Sequence, residues 1–356
     1  MKFIKERLKD YNIDFFLNEL CDASKQLGFL EAKIYSYHFD SILIPLLQKK
    51  EALSSMYIEG TQSTINDVFE EEIRGHESPD KAIIEVKNHT KAIIYGSDFL
   101  KNNLFTHDFI KNLHKIMLSG ITPQKSQDSL GNYKNKDNKI VNSFGTTIFV
   151  PPSHTETKKY MDELLDFMND INDNINPLIK AAIIHSQFES IHPFFDGNGR
   201  VGRLLISLYF YKAKVINFPF FYISEAFSQE KNVYYRKLTD SRNNNYNEWI
   251  RFFLKKCIVQ SYNHINYIDS LNELYERTKH ILQSTLNSPK FDDITECLFT
   301  HPILTSSYLS NKLNVTVGQA KRYLDILEEK DIIHGDDKKR NRTYYFLDLL
   351  DLARRS

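Results

Sequence analysis

The sequence has few cysteines, no excess of charge of either sign and no long apolar run. Its 356 residues include three cysteines, which lie far apart along the chain and argue against a disulfide framework or a zinc site. Forty-six Lys and Arg residues balance 46 Asp and Glu residues, so no net field attracts nucleic acid or a membrane surface. Any anion that the protein binds must therefore be held by a local group of residues.

The sequence also lacks the apolar runs that are typical of membrane spans and export signals. No run approaches the ~18 apolar residues of a membrane span, and the first residues lack the apolar segment of a signal peptide. The sparse cysteine content fits a reducing compartment. We therefore expect a cytoplasmic protein without a membrane partner, and the length favours two or three domains of roughly 100–200 residues each.

Apolar residues at three- and four-residue spacing predict that most of the chain is helical. Residues 32–60 are predicted as one helix that ends at a glycine, and Thr64 with Asp67 has the spacing of a capping box that opens the next helix. Residues 121–153 interrupt the pattern, since they are polar and contain one β-prone patch, "TTIFV" (146–150). We predict a loop with a short hairpin there.

The C-terminal region, residues 291–356, changes in pattern. Two short helices are predicted around "LNVT" (313–316), followed by two strands around a charged turn, which is the order of a winged helix. Its ten Lys and Arg residues against eleven Asp and Glu residues give a net charge of −1, whereas a dedicated DNA-binding domain is clearly basic. DNA binding is therefore open but less favoured than protein docking or support of a homodimer. The basic and polar residues that would face DNA are Gln319, Lys321, Arg322, Lys338, Lys339, Arg340 and Arg342.

Residues 192–203, "HPFFDGNGRVGR", combine features of an anion site. The proline after His192 disfavours helical backbone at that histidine, and a helical pattern resumes after Gly199. The turn between the two helices therefore lies at a helix N-terminus, where free N–H groups and the helix dipole attract anions. Its glycines let the backbone approach a phosphate closely.

The charged residues of the same stretch suit chemistry on phosphate. Arg200 and Arg203 lie on one helical face, and their guanidinium groups match phosphate oxygens. Asp196 fits such a site if it holds Mg²⁺ that bridges phosphates, and His192 can act as a general base for an attacking hydroxyl. Each residue alone has an ordinary structural interpretation, but the combination favours a nucleotide-transfer site.

The stretch resembles the signature of the Fic (filamentation induced by cAMP) family, His-Pro-Phe-x-Asp/Glu-Gly-Asn-Gly-Arg-x-x-Arg, at every specified position. The resemblance extends over roughly residues 105–255, where "GNYKNKD" (131–137) and "TIFVPPS" (147–153) are similar to the hairpin, called the flap, that precedes the signature. It implies a mainly α-helical Fic-type bundle with a short β-hairpin flap and a small C-terminal winged-helix domain. The implied division is a helical N-terminal region at 1–104, a catalytic core at 105–260, a helical linker at 261–290 and the winged helix at 291–356.

The resemblance implies a protein adenylyltransferase, which moves AMP from ATP to a Ser, Thr or Tyr hydroxyl of a target protein, itself included, with Mg²⁺. The implied site residues are His192 as base, Asp196 as the metal ligand, Gly197, Asn198, Gly199, Arg200 and Arg203 at the phosphates, Tyr234 and Tyr235 beside the adenine, and Thr146, Thr147, Ile148 and Phe149 as the flap that docks the target.

A second motif, "SSMYIEG" (54–60), is similar to the inhibitory motif of the family through Ser55, Glu59 and Gly60. Ser55 and Glu59 are four residues apart and share one helical face. A carboxylate at the C-terminal end of a helix opposes the helix dipole unless a cation compensates. The resemblance implies that this cation is Arg203 and that Glu59 inhibits the enzyme. The alternative is an exposed carboxylate at a helix end.

Two further interpretations stay open. The chain is alternatively a DNA-binding regulator whose Fic body senses nucleotide, or a Fic enzyme that moves another phosphate-containing group. Removal of AMP from a modified protein is a related activity that the glutamate supports in some relatives.

Overall fold

The computed structural model describes residues 2–37, 40–74, 80–123, 128–141, 145–243, 245–286, 288–338 and 341–354. Within these ranges the chain is mainly helical. The helices are α1 (Ile4–Arg7), α2 (Leu17–Ser36), α3 (Asp40–Ile58), α4 (Ile65–Arg74), α5 (Lys81–Leu100), α6 (His107–Leu118), α7 (His154–Asn169), α8 (Pro177–Ile191), α9 (Asn198–Lys212), α10 (Ser224–Ser228), α11 (Lys231–Arg242), α12 (Tyr246–Thr285), α13 (Phe291–Thr300), α14 (Ser306–Leu313), α15 (Val317–Glu329) and α16 (Leu347–Arg354). The strands are β1 (Ile140–Val141), β2 (Thr147–Phe149), β3 (Ile303–Thr305), β4 (His334–Gly335) and β5 (Thr343–Tyr345).

Helix α8 is the central helix of the bundle. Every residue from Leu178 to Ile191 is buried, as expected for a largely apolar helix in the core. It packs against α7, α9 and α12, and the buried Trp249 of α12 donates from its ring N–H to the carbonyl oxygen of Ala182 at 2.7 Å. The loop that joins α8 to α9 is therefore anchored at both ends in the core.

One predicted helix is wrong. Residues 32–60 form the end of α2 and the whole of α3, and Tyr37 between them has extended backbone dihedral angles (φ −112°, ψ 141°). The apolar spacing continues across this joint, so the sequence pattern did not reveal it. The predicted stop is confirmed, because α3 ends at Ile58 and Gly60 follows with a left-handed φ of 98°, a backbone conformation that glycine adopts readily.

Two local predictions are confirmed. Thr64 and Asp67 form the reciprocal bonds of a capping box: the Thr64 N–H donates to the Asp67 carboxylate at 2.7 Å, and the Asp67 N–H donates to the Thr64 hydroxyl at 3.3 Å. Strands β1 and β2 form the predicted antiparallel hairpin, with Ile140 opposite Phe149 and an irregular register beside this pair. Such an irregularity bends a strand locally.

The C-terminal region contains α13 to α16 and an antiparallel sheet in the order β3–β5–β4. It packs on the rest of the chain, since α13 contacts α3, β3 contacts α4, and Arg277 of α12 forms an ion pair with Asp348 of α16. The winged-helix assignment and the domain boundaries remain predictions, and the boundary at residue 260 falls inside the continuous helix α12. Lys339 and Arg340 of the predicted wing lie outside the described residues. Among the helices of the described part, none is long and apolar enough to cross a bilayer.

Candidate active site

The first feature of the site is the backbone of His192, directly after α8. This residue has φ 49° and ψ 59°, the left-handed conformation that few residues other than glycine adopt. Its N–H donates to the carbonyl oxygen of Phe188 at 3.0 Å and closes the last helical turn. The helix thus ends where the following proline predicted, and the chain turns sharply toward α9.

The loop after His192 is fixed by its own side chains. The amide of Asn198, which is 2% exposed, accepts from the Phe194 N–H at 2.9 Å and donates to the Phe194 carbonyl at 2.8 Å. Asn198 therefore uses its side chain within the loop and offers only its backbone to a phosphate. Gly197 has φ 77°, and a Cβ there would lie 2.8 Å from Leu118 Cδ1, so both backbone shape and space require glycine.

Asp196 is the most accessible charged group of the loop. Its side chain is 81% exposed, and its carboxylate accepts from the Gly197 N–H at 2.6 Å and from Arg200 Nη2 at 3.3 Å. In the described ranges, no group of three or more His, Cys, Asp and Glu side chains could hold a metal by itself. A single open carboxylate fits Mg²⁺, which usually takes one or two protein carboxylates and completes its ligands with phosphate oxygens and water.

Arg203 is held by the end of α3. Its side chain is 1% exposed, and its Nε donates to the Ser55 hydroxyl at 2.9 Å. Nη2 donates to the Ser55 carbonyl at 3.0 Å and to Glu59 Oε1 at 2.7 Å. Burial alone would lower the pKa of Arg203, but the charge of Glu59 opposes it and holds the pKa above its ordinary value. The pairing that the resemblance implied between Glu59 and Arg203 is therefore present.

The glycine at position 199 makes room for that carboxylate. A Cβ on Gly199 would lie 2.2 Å from Glu59 Oε1 and 2.9 Å from Arg203 Nη1. Glu59 thus lies over the first turn of α9, where free N–H groups and the helix dipole attract negative charge. The glutamate occupies the place in which the sequence predicted a phosphate.

The backbone just before Glu59 is held by α11. The Tyr235 hydroxyl donates to the Ile58 carbonyl at 2.9 Å, and Lys231 Nζ donates to the Tyr57 carbonyl at 3.2 Å. The last carbonyl groups of a helix have no partner within the helix, and these two side chains satisfy them. The end of α3 is consequently attached to a second helix of the body.

Arg200 has different partners from Arg203. Its Nη1 donates to Glu85 Oε1 of α5 at 3.2 Å. Burial raises the pKa of Glu85, and the charge of Arg200 acts in the opposite direction. Both arginines that were predicted at the phosphates are therefore paired with carboxylates, from α3 in one case and from α5 in the other.

The two tyrosines predicted beside the adenine differ in exposure. Tyr234 is 1% exposed, and its hydroxyl lies 2.8 Å from Nε2 of His185, whose Nδ1 is 3.0 Å from the Gly202 carbonyl oxygen. Since a carbonyl can only accept, His185 Nδ1 carries the proton and Nε2 accepts from Tyr234. Tyr234 is thus part of the core, and Tyr235, 38% exposed, is the member of the pair that a ligand can reach.

His192 has the electrostatic properties of a base. Burial lowers its pKa to about 4, and the nearby cations Arg242 and Lys134 act in the same direction. Its Nδ1 is buried without a hydrogen-bond partner among the described residues. The imidazole is neutral near pH 7 and can accept a proton.

The flap lies beside the end of α8. The Phe149 ring faces the guanidinium of Arg242 at 4.6 Å, a distance suited to a cation–π contact, and Arg242 Nη2 donates to the Glu189 carbonyl at 3.3 Å. Thr146, Thr147 and Ile148 are exposed. Phe149 of the predicted flap is therefore linked through Arg242 to the last turn of α8, and the three residues before it are accessible.

Sequence reasoning did not single out four polar residues of the site. They are Glu85, Lys134, Asn138 and Glu189. Glu189 and Glu85 are 7% and 6% exposed. Glu85 interrupts an apolar stretch of α5, "AIIEV" (82–86), which is the signal that could have identified it, whereas Glu189 lies among polar residues of α8 and carries no such signal. Lys134 and Asn138 lie in a polar loop where the sequence carries no such signal.

Comparison with known proteins agrees with this geometry. The sequence profile of the Fic/DOC family matches residues 104–210, and the profile of its N-terminal region matches residues 17–98. The chain belongs to the Fic/DOC family, and its fold is the mainly helical Fic fold with an antiparallel strand pair.

Relatives with assigned names cover only part of the chain. It is 29% identical over 184 residues to protein adenylyltransferase Fic of Nematostella vectensis, covering 49% of this chain and 38% of that protein. It is 34% identical over 103 residues to a probable protein adenylyltransferase of Aquifex aeolicus, covering 27% and 30%. The chain thus spans well under half the length of these relatives.

One solved structure resembles the chain over almost its full length. A Fic family protein from Desulfovibrio desulfuricans has a TM-score of 0.61 and 18% identity, and the match covers 95% of this chain and 97% of that one. At this identity the likeness establishes the fold alone.

Proposed function

We propose that this chain is an ATP-dependent protein adenylyltransferase, which transfers AMP to a hydroxyl of a target protein and is inhibited by Glu59. The observation that carries the proposal is the neutral His192 at the end of α8, placed directly before a helix N-terminus that bears two arginines. The names of the matched relatives support the same reaction class.

The phosphates of ATP would bind at the N-terminus of α9. Asn198 and Gly199 would offer backbone N–H groups there, and Gly197, whose N–H donates to the Asp196 carboxylate in this structure, would join them once that carboxylate turned to Mg²⁺. Arg200 and Arg203 would add charge for the β- and γ-phosphates. Mg²⁺, if held by Asp196, would neutralise part of the phosphate charge. Tyr235 would face the adenine, while Tyr234 would support the adenine side of the site from the core, where it contacts His185.

In the proposed reaction, His192 acts as the general base. Its imidazole takes the proton of the target hydroxyl while the hydroxyl oxygen bonds to the α-phosphorus of ATP. The bond between the α-phosphorus and the oxygen that bridges to the β-phosphorus breaks, and pyrophosphate leaves. The target segment would pair with the flap, Thr146 to Phe149, as an added strand.

Inhibition follows from the position of Glu59. Its carboxylate takes the guanidinium of Arg203 and the space above Gly199, both of which a correctly placed γ-phosphate needs. ATP that binds beside Glu59 would present its α-phosphorus out of line with the attacking oxygen. We also propose a cytoplasmic location and a secondary AMP-removing activity that uses the same glutamate.

The experiment uses wild-type protein, Glu59→Gly and the double variant Glu59→Gly/His192→Ala with α-labelled ATP. We expect protein-bound label to rise at least tenfold in Glu59→Gly and to be lost in the double variant. Parallel incubations with γ-labelled ATP should give no protein-bound label, which separates AMP transfer from phosphate transfer. Absence of label in Glu59→Gly, with a range of candidate targets from native lysate, would contradict the transferase; equal label in wild type and Glu59→Gly would contradict inhibition.

DNA binding by the C-terminal region has weaker support. Lys321 and Arg322 are exposed on α15, but Arg342 of the predicted wing forms a two-point ion pair with Glu328 at 2.6 and 2.7 Å. That guanidinium is committed within the domain. A gel-shift assay at low salt with the full chain tests DNA binding. A retarded band would support the hypothesis that the chain is a DNA-binding regulator.

A further inference from the structure

We propose that Lys134 and Asn138 are positioning residues that hold His192 in its catalytic geometry, an inference that rests on the proposed function for its catalytic part. Neither residue belongs to the signature or to the flap strands. Both come from the loop of residues 131–138, which lies against the signature loop.

The two residues bind four consecutive backbone carbonyls around His192. Lys134 Nζ donates to the Ile191 carbonyl at 3.2 Å, and the Lys134 N–H donates to the Pro193 carbonyl at 2.8 Å. Asn138 Nδ2 donates to the carbonyl of His192 at 3.2 Å and to that of Phe194 at 3.1 Å. Every peptide oxygen from residue 191 to residue 194 is thus held from one side.

The pair is itself rigid. Lys134 Nζ also donates to the side-chain oxygen of Asn138 at 2.8 Å, which fixes the amide so that its nitrogen faces the signature loop. Lys134 is 3% exposed, and burial lowers its pKa to about 8. Because its side chain is buried and cannot turn toward solvent, Lys134 acts as a hydrogen-bond donor in a fixed position.

The backbone of His192 explains why this support is needed. Its left-handed φ of 49° is costly for a residue with a side chain and persists only where the surroundings enforce it. The hydrogen bonds from Lys134 and Asn138 fix the peptide groups before and after His192. Removing them allows His192 to relax toward an ordinary conformation, which moves the imidazole away from the attacking hydroxyl.

Lys134 also sets the charge around the imidazole. It lies at the C-terminal end of α8, where a cation interacts favourably with the helix dipole, and it joins Arg242 in disfavouring a proton on His192. One residue therefore supports both the orientation and the neutral state of the base.

The test compares Lys134→Met and Asn138→Ala with Lys136→Met, an exposed lysine of the same loop, all in the Glu59→Gly protein. A displacement of about 1 Å at a reacting group can cost about 100-fold in rate. We expect turnover to fall about 100-fold in Lys134→Met and about tenfold in Asn138→Ala, with the Kd for a non-hydrolysable ATP analogue within twofold. Lys136→Met should keep full turnover.

Thermal melting of each variant accompanies the assay, because a buried lysine can also be needed for folding. If Lys134→Met does not fold, Asn138→Ala carries the test. Full turnover in a folded Asn138→Ala protein would overturn the proposal, and so would an equal loss of turnover and ATP affinity.

A second measurement does not depend on transfer activity. The imidazole signals of His192, assigned with His192→Gln, are followed by NMR against pH in the wild type, Lys134→Met and Lys136→Met. We expect a raised pKa and shifted ring signals for His192 in Lys134→Met alone. Unchanged His192 signals would overturn the positioning role even if the protein transferred no AMP, so the two proposals fail separately.

Discussion

Arg203 and Arg200 lie one turn apart on α9, yet their carboxylate partners differ in exposure. Glu59 lies just after the last residue of α3, and its side chain is 37% exposed. Glu85 lies inside the first turns of α5, and its side chain is 5% exposed. Glu59 can leave Arg203 for solvent, whereas Glu85 cannot leave Arg200 without a movement of the helix.

Under the proposed function, this difference would separate a regulated contact from a permanent one. A carboxylate at a helix end can move away and be replaced by a phosphate. A buried carboxylate in a helix instead orients the arginine beside it, which leaves the rest of the guanidinium for a ligand. We therefore expect variants at the Arg203 contact to change regulation and those at the Arg200 contact to change binding.

The largest expected effect is on stability, in Arg203→Met. This change leaves the hydroxyl and carbonyl of Ser55 without their donor in a buried place, and an unpaired buried group costs about 1–3 kcal/mol. We expect the free energy of unfolding to fall by about 3 kcal/mol or more, since the buried ion pair is lost as well. Urea denaturation measures this free energy for the wild type and the variant. Arg200→Met should cost less, because Glu85 keeps Lys81 at 3.8 Å; equal losses would contradict the comparison.

Next in size is the effect of Glu59→Gln on transfer. Glutamine keeps the shape of the side chain but lacks the charge that competes with phosphate for Arg203. We expect AMP transfer to rise about tenfold over wild type and to stay below that of Glu59→Gly, in which the space above Gly199 is also cleared. Quantified α-label on protein provides the measurement. If Gln were as inhibited as Glu, occupation of space rather than charge would be the cause of inhibition.

Glu85→Gln is expected to act more weakly. With Glu59 intact it should change transfer by no more than about threefold, because the Arg203 contact is untouched. In the Glu59→Gly protein it should weaken ATP affinity, since Arg200 loses the partner that orients it. Calorimetric titration with an ATP analogue measures the Kd in the two proteins. A rise of transfer comparable to that in Glu59→Gly would show that the two carboxylates inhibit alike.

A separate effect is the dependence of stability on pH. Around Arg203, burial lowers the pKa of His185 to about 3 and that of His89 to about 4, and raises that of Glu189 to about 7. A histidine whose folded pKa lies below its unfolded value of 6.5 takes up a proton more readily when unfolded, so stability falls as pH drops from 6.5 toward 4. A carboxyl with a raised folded pKa has the opposite effect between pH 7 and 4.5 and offsets part of this loss.

Histidines outside this group act in the same direction, because burial also lowers the pKa values of His114, His192, His264 and His301 to about 4. We therefore expect a net fall in Tm between pH 6.5 and 4, measured by scanning calorimetry at constant ionic strength. A Tm that stays level or rises over this range would contradict a net contribution from these neutral histidines.

Local features of the fold were predictable from the sequence. The capping box at Thr64, the hairpin at "TTIFV" and the helix end at His192 each depend on neighbouring residues, and each is confirmed. The break at Tyr37 was missed because the apolar spacing continues on both sides of that extended residue.

The partners of the site were less predictable. Glu59 and Arg203 are 144 positions apart, and only the resemblance to a family connected them. Helix packing brings Glu85 to Arg200, and the fold of the loop of residues 131–138 against α8 brings Lys134 to Ile191; spacing along the chain encodes neither contact. The burial of Tyr234 is likewise a property of the assembled bundle.

Under the proposed inhibition by Glu59, the attachment of α3 to α11 has a consequence for the strength of that inhibition. Because Tyr235 and Lys231 hold the carbonyls just before Glu59, its carboxylate behaves as a tethered ligand of Arg203, whose effective concentration is set by the tether. Rotation of exposed side chains takes place within nanoseconds, so a competing phosphate would meet the same carboxylate again after each excursion. Loosening the two α11 contacts would lower that effective concentration without altering the ion pair itself.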